Sequence, residues 1–163
     1  MGFTLIELML AIAITGVITG AITTTIFQVV NSSARTNNHM MAVRQVQNAG
    51  YWVSRDAQMA QVVEPAGELV DTPAGTGFPL TLTWTEWDGT VNEITYILEG
   101  TELWRDYDGQ RDPVAQFVNP DPEKTRCEFT DGKLTFTITA TVGSNSQAQS
   151  ETRIYEVKPR PGS

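Results

Sequence analysis

Asp106, Asp108 and Asp112 come closest to a set of residues that could do chemistry together, lying in the run Asp106-Tyr107-Asp108-Gly109-Gln110-Arg111-Asp112. Carboxylates around a glycine make an oxygen-rich turn of the kind that hard cations such as calcium favour. The pattern is not an EF-hand loop, because its third acidic position, glycine offset and late glutamate do not match. A solvated acidic loop is the competing reading, and no other metal or cofactor is expected. His39 and Cys127 are each the sole residue of their kind. That removes intramolecular disulfides, paired-cysteine metal sites, and most triads or dyads that need an imidazole beside other functional groups. With no catalytic constellation the chain reads as a non-enzyme. Trp52, Trp84, Trp87 and Trp104 could stack on sugars or bases, but Trp84 shares an apolar strand face, Trp87 sits at a hairpin end and Trp104 lies beside Arg105. Indoles carry large apolar area, so core or subunit contact is the reading for most of them.

Glu7 stands apart from these. It sits among Phe3, Leu5, Ile6 and Leu8, and residues 8–34 after it carry no charge. At about 1.5 Å per residue, about 20 apolar residues cross a hydrocarbon core of about 30 Å, so this segment is long enough to span. A cleaved secretory signal fits poorly: no cation precedes the run, and the run is too long. A carboxylate near such surroundings costs on the order of 2.5–3.5 kcal/mol at a helix centre and less near the interface, which calls for a cationic partner at the same depth.

The residues Gly2-Phe3-Thr4-Leu5-Ile6-Glu7-Leu8 resemble the processing and methylation motif of type IV pilins and type II secretion pseudopilins. The resemblance implies that a membrane prepilin peptidase cuts after Gly2 and N-methylates Phe3. It also implies that Glu7 pairs, during assembly, with the Phe3 amine of a neighbouring subunit, which is the cation the desolvation argument requires. Implied partners are other pilin or pseudopilin subunits, the peptidase and methyltransferase, an inner-membrane assembly platform, and membrane lipid before assembly. The implied location is the bacterial inner membrane, crossed once with the head in the periplasm or outside, and then a pilus or pseudopilus. Met1 alone precedes Gly2, where the family's leader usually has Lys or Arg, so residues 1–2 read as a residual leader. Orientation is taken from the family, since the first cations, Arg35 and Arg44, lie beyond the span.

The elements that must carry this segment follow from periodicity. Residues 3–30 read as a transmembrane and filament-core helix, and residues 31–64 as its amphipathic continuation, with Val43, Val46, Gly50, Val53, Ala57 and Ala60 as one stripe. Gly16 and Gly20 lie in the first half, where small residues permit close helix packing or local melting. Asn31-Ser32-Ser33 matches a glycosylation acceptor and reads instead as helix surface. Pro65 followed by Gly67 is a stop, and Glu68 to Phe78 is a turn-rich linker.

Residues 65–158 read as a strand-rich head, and residues 159–163 as a frayed tail. Asp88-Gly89, Glu99-Gly100 and Asp131-Gly132 each separate two strand-like runs, a hairpin signal. Leu134, Phe136, Ile138, Ala140 and Val142 alternate with threonines, and a further strand falls near residues 152–157. The apolar sheet face needs cover, and the stripe on the helix is the amphipathic surface able to supply it. The fold class is therefore α+β, a long N-terminal helix packed on an antiparallel sheet, similar to the pilin fold.

The net charge of −8 is unevenly spread: through Val63, Arg35, Arg44 and Arg55 face Glu7 and Asp56, so the remainder carries −9. An acidic head without clustered cations is not expected to bind nucleic acid. The series of hairpins, the Trp104-Arg105 segment and the lack of a C-terminal cysteine pair look like the minor pseudopilins of the J or W type, whose implied role is to help initiate or cap the filament. A major pilin used in adhesion, motility or DNA uptake is the alternative. A membrane-tethered enzyme or sensor is a third class, for which no pocket-forming motif speaks.

Overall fold

The computed structural model describes residues 4–65 and 76–160. Gly2 and Phe3, most of the expected linker, and residues 161–163 of the tail lie outside these. Two compact units emerge, Met1–Asn37 and Asn38–Ser163, and each is described by itself.

Helix α1, Leu5–Met59, opens in the first unit. There its large apolar side chains, among them Leu8, Leu10, Ile12, Ile18, Ile22 and Phe27, are all exposed. The helix is long and apolar enough to cross a membrane, with a mean hydropathy of 2.2 over its most apolar window. Its threonines do not break that apolar surface. Thr15, Thr23, Thr24 and Thr25 each donate a hydroxyl proton to the carbonyl one turn back, at 2.8 to 2.9 Å. A hydroxyl satisfied by its own helix is tolerable in hydrocarbon. Nothing lies within 4 Å of where a Cβ on Gly16 or Gly20 would stand.

In the second unit, α1 buries Ala42, Val46, Ala49, Gly50, Val53, Asp56 and Ala57. The expected stripe is present but broader on the side of the small residues: Ala42 and Ala49 join it, while Val43 is only half-buried. Gly50 shows why small residues matter here, since a Cβ on it would fall inside the Tyr155 ring. That ring's hydroxyl reaches past to donate to the Val46 carbonyl at 3.0 Å.

The helix stops earlier than its pattern suggests, at Met59 rather than near Val63. Ala60 N still donates to Asp56 O, but Gln61 N turns to Thr83 O. Residues Val62–Pro65 then form β1 against Leu80–Thr85, β2. Val62 and Val63 are β-branched and fit a pleated surface, and an available strand edge outweighs continued helix.

The strands form two antiparallel sheets where one was expected. The first runs in order β1, β2, β3 (Val91–Glu99), β4 (Glu102–Tyr107) and β5 (Gln110–Ala115); the second runs β6 (Arg126–Thr130), β7 (Lys133–Val142) and β8 (Gln149–Val157). Residues 117–119 join the free half of β7: Val118 pairs with Ala140, Asn119 N donates to Thr139 O, and Thr141 N donates to Phe117 O. All three expected hairpins form, and Asp131-Gly132 makes a two-residue turn with both φ values positive, as type I′ requires. Leu80, Leu82, Ile94, Tyr96, Leu98 and Leu103 from the first sheet, and Leu134, Phe136, Ile138 and Ala140 from the second, join the α1 stripe in one core. The threonine face of β7 is covered too, with Thr139 donating its hydroxyl to Lys124 O at 2.8 Å.

Candidate functional site

At the start of α1, Thr4 and Glu7 close on each other. Thr4 N and Thr4 Oγ1 both donate to Glu7 Oε2, at 2.9 and 2.8 Å, and Glu7 N approaches Thr4 Oγ1 at 3.4 Å. This is a capping box, in which the side chain at the third helical position and the cap satisfy each other's orphan backbone donors. Within one chain it gives Glu7 a polar partner among exposed Leu5, Ile6 and Leu8. Thr-x-x-Glu is the capping signature, so Thr4 is a partner legible in the sequence beside the cation that desolvation of Glu7 calls for. Phe3, the other half of the expected pair, lies outside the described residues, as does the cleavage position at Gly2.

The acidic candidates are placed differently from the expected loop. Asp108-Gly109 is the two-residue turn between β4 and β5, with φ of 53° and 76°, and Tyr107 pairs with Gln110. Asp106 stands opposite Arg111, and Arg105 opposite Asp112. Side chains on successive strand positions point to opposite sheet faces, so Asp106 and Asp112 cannot converge on one ion. Among the described residues no group of three or more metal-ligating side chains gathers. The calcium candidate of Asp106, Asp108 and Asp112 is thereby corrected to a charged β-hairpin. Its strand flanks supply the register that pulls the carboxylates apart. His39 is exposed, and Cys127 is buried, which pushes its thiol well above the ordinary range.

The head holds one polar constellation that the sequence reading missed. Asp56 of α1 is fully buried and accepts from Tyr96 Oη at 2.5 Å and from Arg105 Nε at 2.7 Å. The Arg105 guanidinium lies 5.0 Å from the Trp52 ring centre and 5.4 Å from that of Tyr107, which stacks on Trp84. Burial works against the charge of Arg105, but the hydrogen bond and charge of Asp56 outweigh it and hold the guanidinium above its ordinary value. Burial first, and then the Asp56 carboxylate, push the Tyr96 phenol far up. This arrangement pins α1 to the first sheet through an ion pair walled by aromatic rings. A signal for it existed: Asp56 follows Val53 by three positions on the buried stripe, and the β3–β4 register sets Tyr96 directly opposite Arg105.

Trp84 is the core tryptophan, as its strand position suggests, whereas Trp87 is 96% exposed at the β2–β3 turn. Trp52 is half-buried against Arg105, and Trp104 lies under Arg111 with 5.4 Å from guanidinium to ring centre.

Residues 2–23 match the model of the prokaryotic N-terminal methylation motif, the prepilin-type signature of type IV pilins and pseudopilins. No curated protein matches the chain, and no solved structure does. The signature stands at the head of an apolar helix that leads into a strand-rich head, and together they make an α+β, pilin-like architecture. They are consistent with anchorage in the inner membrane and imply assembly with other pilin subunits and processing by a prepilin peptidase.

Proposed function

We propose that the chain is a structural subunit of a type II secretion pseudopilus or type IV pilus, drawn from the inner membrane into a filament through its N-terminal helix. The observation that carries this is Glu7: a carboxylate at the head of a helix whose apolar side chains are exposed for several turns, inside a matched methylation signature. In this reading cleavage after Gly2 frees the Phe3 amine, and the amine of a neighbouring subunit competes with Thr4 for the Glu7 carboxylate. Charge-assisted contacts are roughly twice as strong as neutral ones, which favours the intersubunit pair once lipid closes around it. Glu7→Ala should leave insertion and cleavage intact while lowering recovery of the chain in sheared filaments at least tenfold; normal recovery would count against the mechanism.

Within this class, a strand-rich head without a cysteine pair supports a minor subunit that helps initiate or cap the filament. A major subunit is the second reading, and the charge distribution on the head favours it, for the reason developed next. The chain's share of sheared filaments separates the two.

A further inference from the structure

Residues 38–163 carry ten cations against eighteen carboxylates, yet the solvent side of helix α1 in this unit carries only cations among its charged side chains. Between Asn38 and Met59, helix α1 holds two arginines, Arg44 and Arg55, and one carboxylate, Asp56. Asp56 is fully buried against Arg105, so the solvent side of this stretch presents no negative charge. Arg44, Tyr51 and Arg55 fall seven and four positions apart, on one exposed stripe. Beside it, Gln47, Gly50, Tyr51, Ser54, Arg55, Gln58, Arg153 and Tyr155 line a groove of about 520 Å³ between α1 and β8. Arg153 is ion-paired with Glu151 at 3.2 Å, so the positive charge of the groove wall is carried by Arg55, with Arg44 further along the same helix stripe.

The same unit has a groove of opposite sign. Glu93, Asp106 and Asp108 line a cleft of about 610 Å³ on the first sheet, together with Thr90, Val91 and Tyr107. Thr95, Ile97 and Asp106 are on the sheet face turned away from the buried side chains Ile94, Tyr96 and Leu98. No cation lines it. Arg111, opposite Asp106 in register, is held by Glu99 at 2.8 Å and lies over Trp104.

We infer that the arginine groove of one copy of this chain docks the Glu93, Asp106 and Asp108 cleft of a second copy. The two surfaces are different patches, so the contact is heterologous, and a heterologous contact that does not close propagates as a helical filament. Opposed charge sets register and rate of encounter more than raw affinity. Tyr51 and Val91, each about three-fifths exposed, supply apolar area to the contact. The inference rests on the filament-subunit reading and adds to it that copies of this chain are adjacent, which belongs to a repeating subunit.

The test uses the full chain in its native membrane. Two differently tagged copies carry Gln58→Cys and Thr90→Cys, one each; native Cys127 is buried. Oxidation should give a mixed disulfide dimer at least fivefold above a control pairing Gln58→Cys with Thr130→Cys, on the second sheet. Arg55→Glu in the first copy should abolish the excess, and Glu93→Lys with Asp106→Lys in the second should restore it. Equal yields in test and control, or no effect of Arg55→Glu, overturns the proposal. Unchanged cross-linking with lost binding of the Arg55→Glu chain to phosphatidylglycerol vesicles overturns it in favour of an anionic lipid surface. The filament reading fails separately, if Glu7→Ala enters filaments normally whatever the cross-linking shows.

Discussion

Asp56 shows most clearly how much one residue decides. Its carboxylate is buried, its Oδ2 takes two donors, and Oδ1 has no partner among the described residues. Removing one member of such a pair strands the other, at about 3–5 kcal/mol. Asp56→Ala should therefore destabilise the head by about that amount in urea titrations followed by tryptophan fluorescence in detergent. Asp56→Asn, which keeps acceptor and shape, should cost less.

Buried phenol and thiol groups of the head, Tyr96 of this cluster among them, set an alkaline limit. Tyr96 and Cys127 hold their protons to higher pH folded than unfolded, because burial disfavours the anions, and Tyr155 is shifted in the same direction. A raised folded pKa contributes stability that is complete below the unfolded value and is lost as pH rises past it. With unfolded values of about 8.5 for a thiol and about 10 for a phenol, the loss should begin near pH 9 and steepen above pH 10. Tyr96→Phe combined with Cys127→Ala should lower stability at neutral pH but flatten that slope, as thermal midpoints across the range would register. An unchanged slope would show that other groups govern the limit.

At the scale of elements, the close approach of α1 to β8 depends on Gly50. Gly50→Val would drive a branched side chain into the Tyr155 ring and break its hydrogen bond to Val46 O. Overpacking of this kind costs about 1–3 kcal/mol, and β8 should show the largest rise in amide hydrogen exchange. Protection unchanged along residues 149–157 would mean that the helix and strand are not coupled there.

The elements also show what was legible. The apolar run, the helix stripe, the three hairpin turns and the alternating strand β7 follow from short-range pattern, and all are in place. What pattern could not supply was competition between distant segments. Val62 and Val63 continue a helix by spacing and leave it because the edge of β2 is there to pair with. Residues 117–119 reach the half of β7 that β6 leaves free, a contact that has no local signature. Asp108-Gly109 carries a hairpin signal as strong as Asp131-Gly132, but the same carboxylates also fit an oxygen-rich cation loop, and only the strand register separates the two. Thr4 and Asp56 each look ordinary until the partner is considered.

For the whole molecule, the account joins an apolar helix bearing a single N-terminal carboxylate to a head of uneven charge. Exposed apolar surface on residues 5–30 needs lipid or neighbouring helices to cover it; in the proposed function the membrane supplies the first and a filament the second. In the proposed reading, chemistry at the N-terminus converts one into the other, since Glu7 would gain a cation only when a new amine is made at Phe3. The measurement that bears most directly on this is intact-mass and N-terminal sequencing of the chain taken from its native membrane. The account expects a chain beginning at Phe3 with a methyl group on its amine. A chain retaining Gly2, or cut elsewhere in the apolar run, would contradict it.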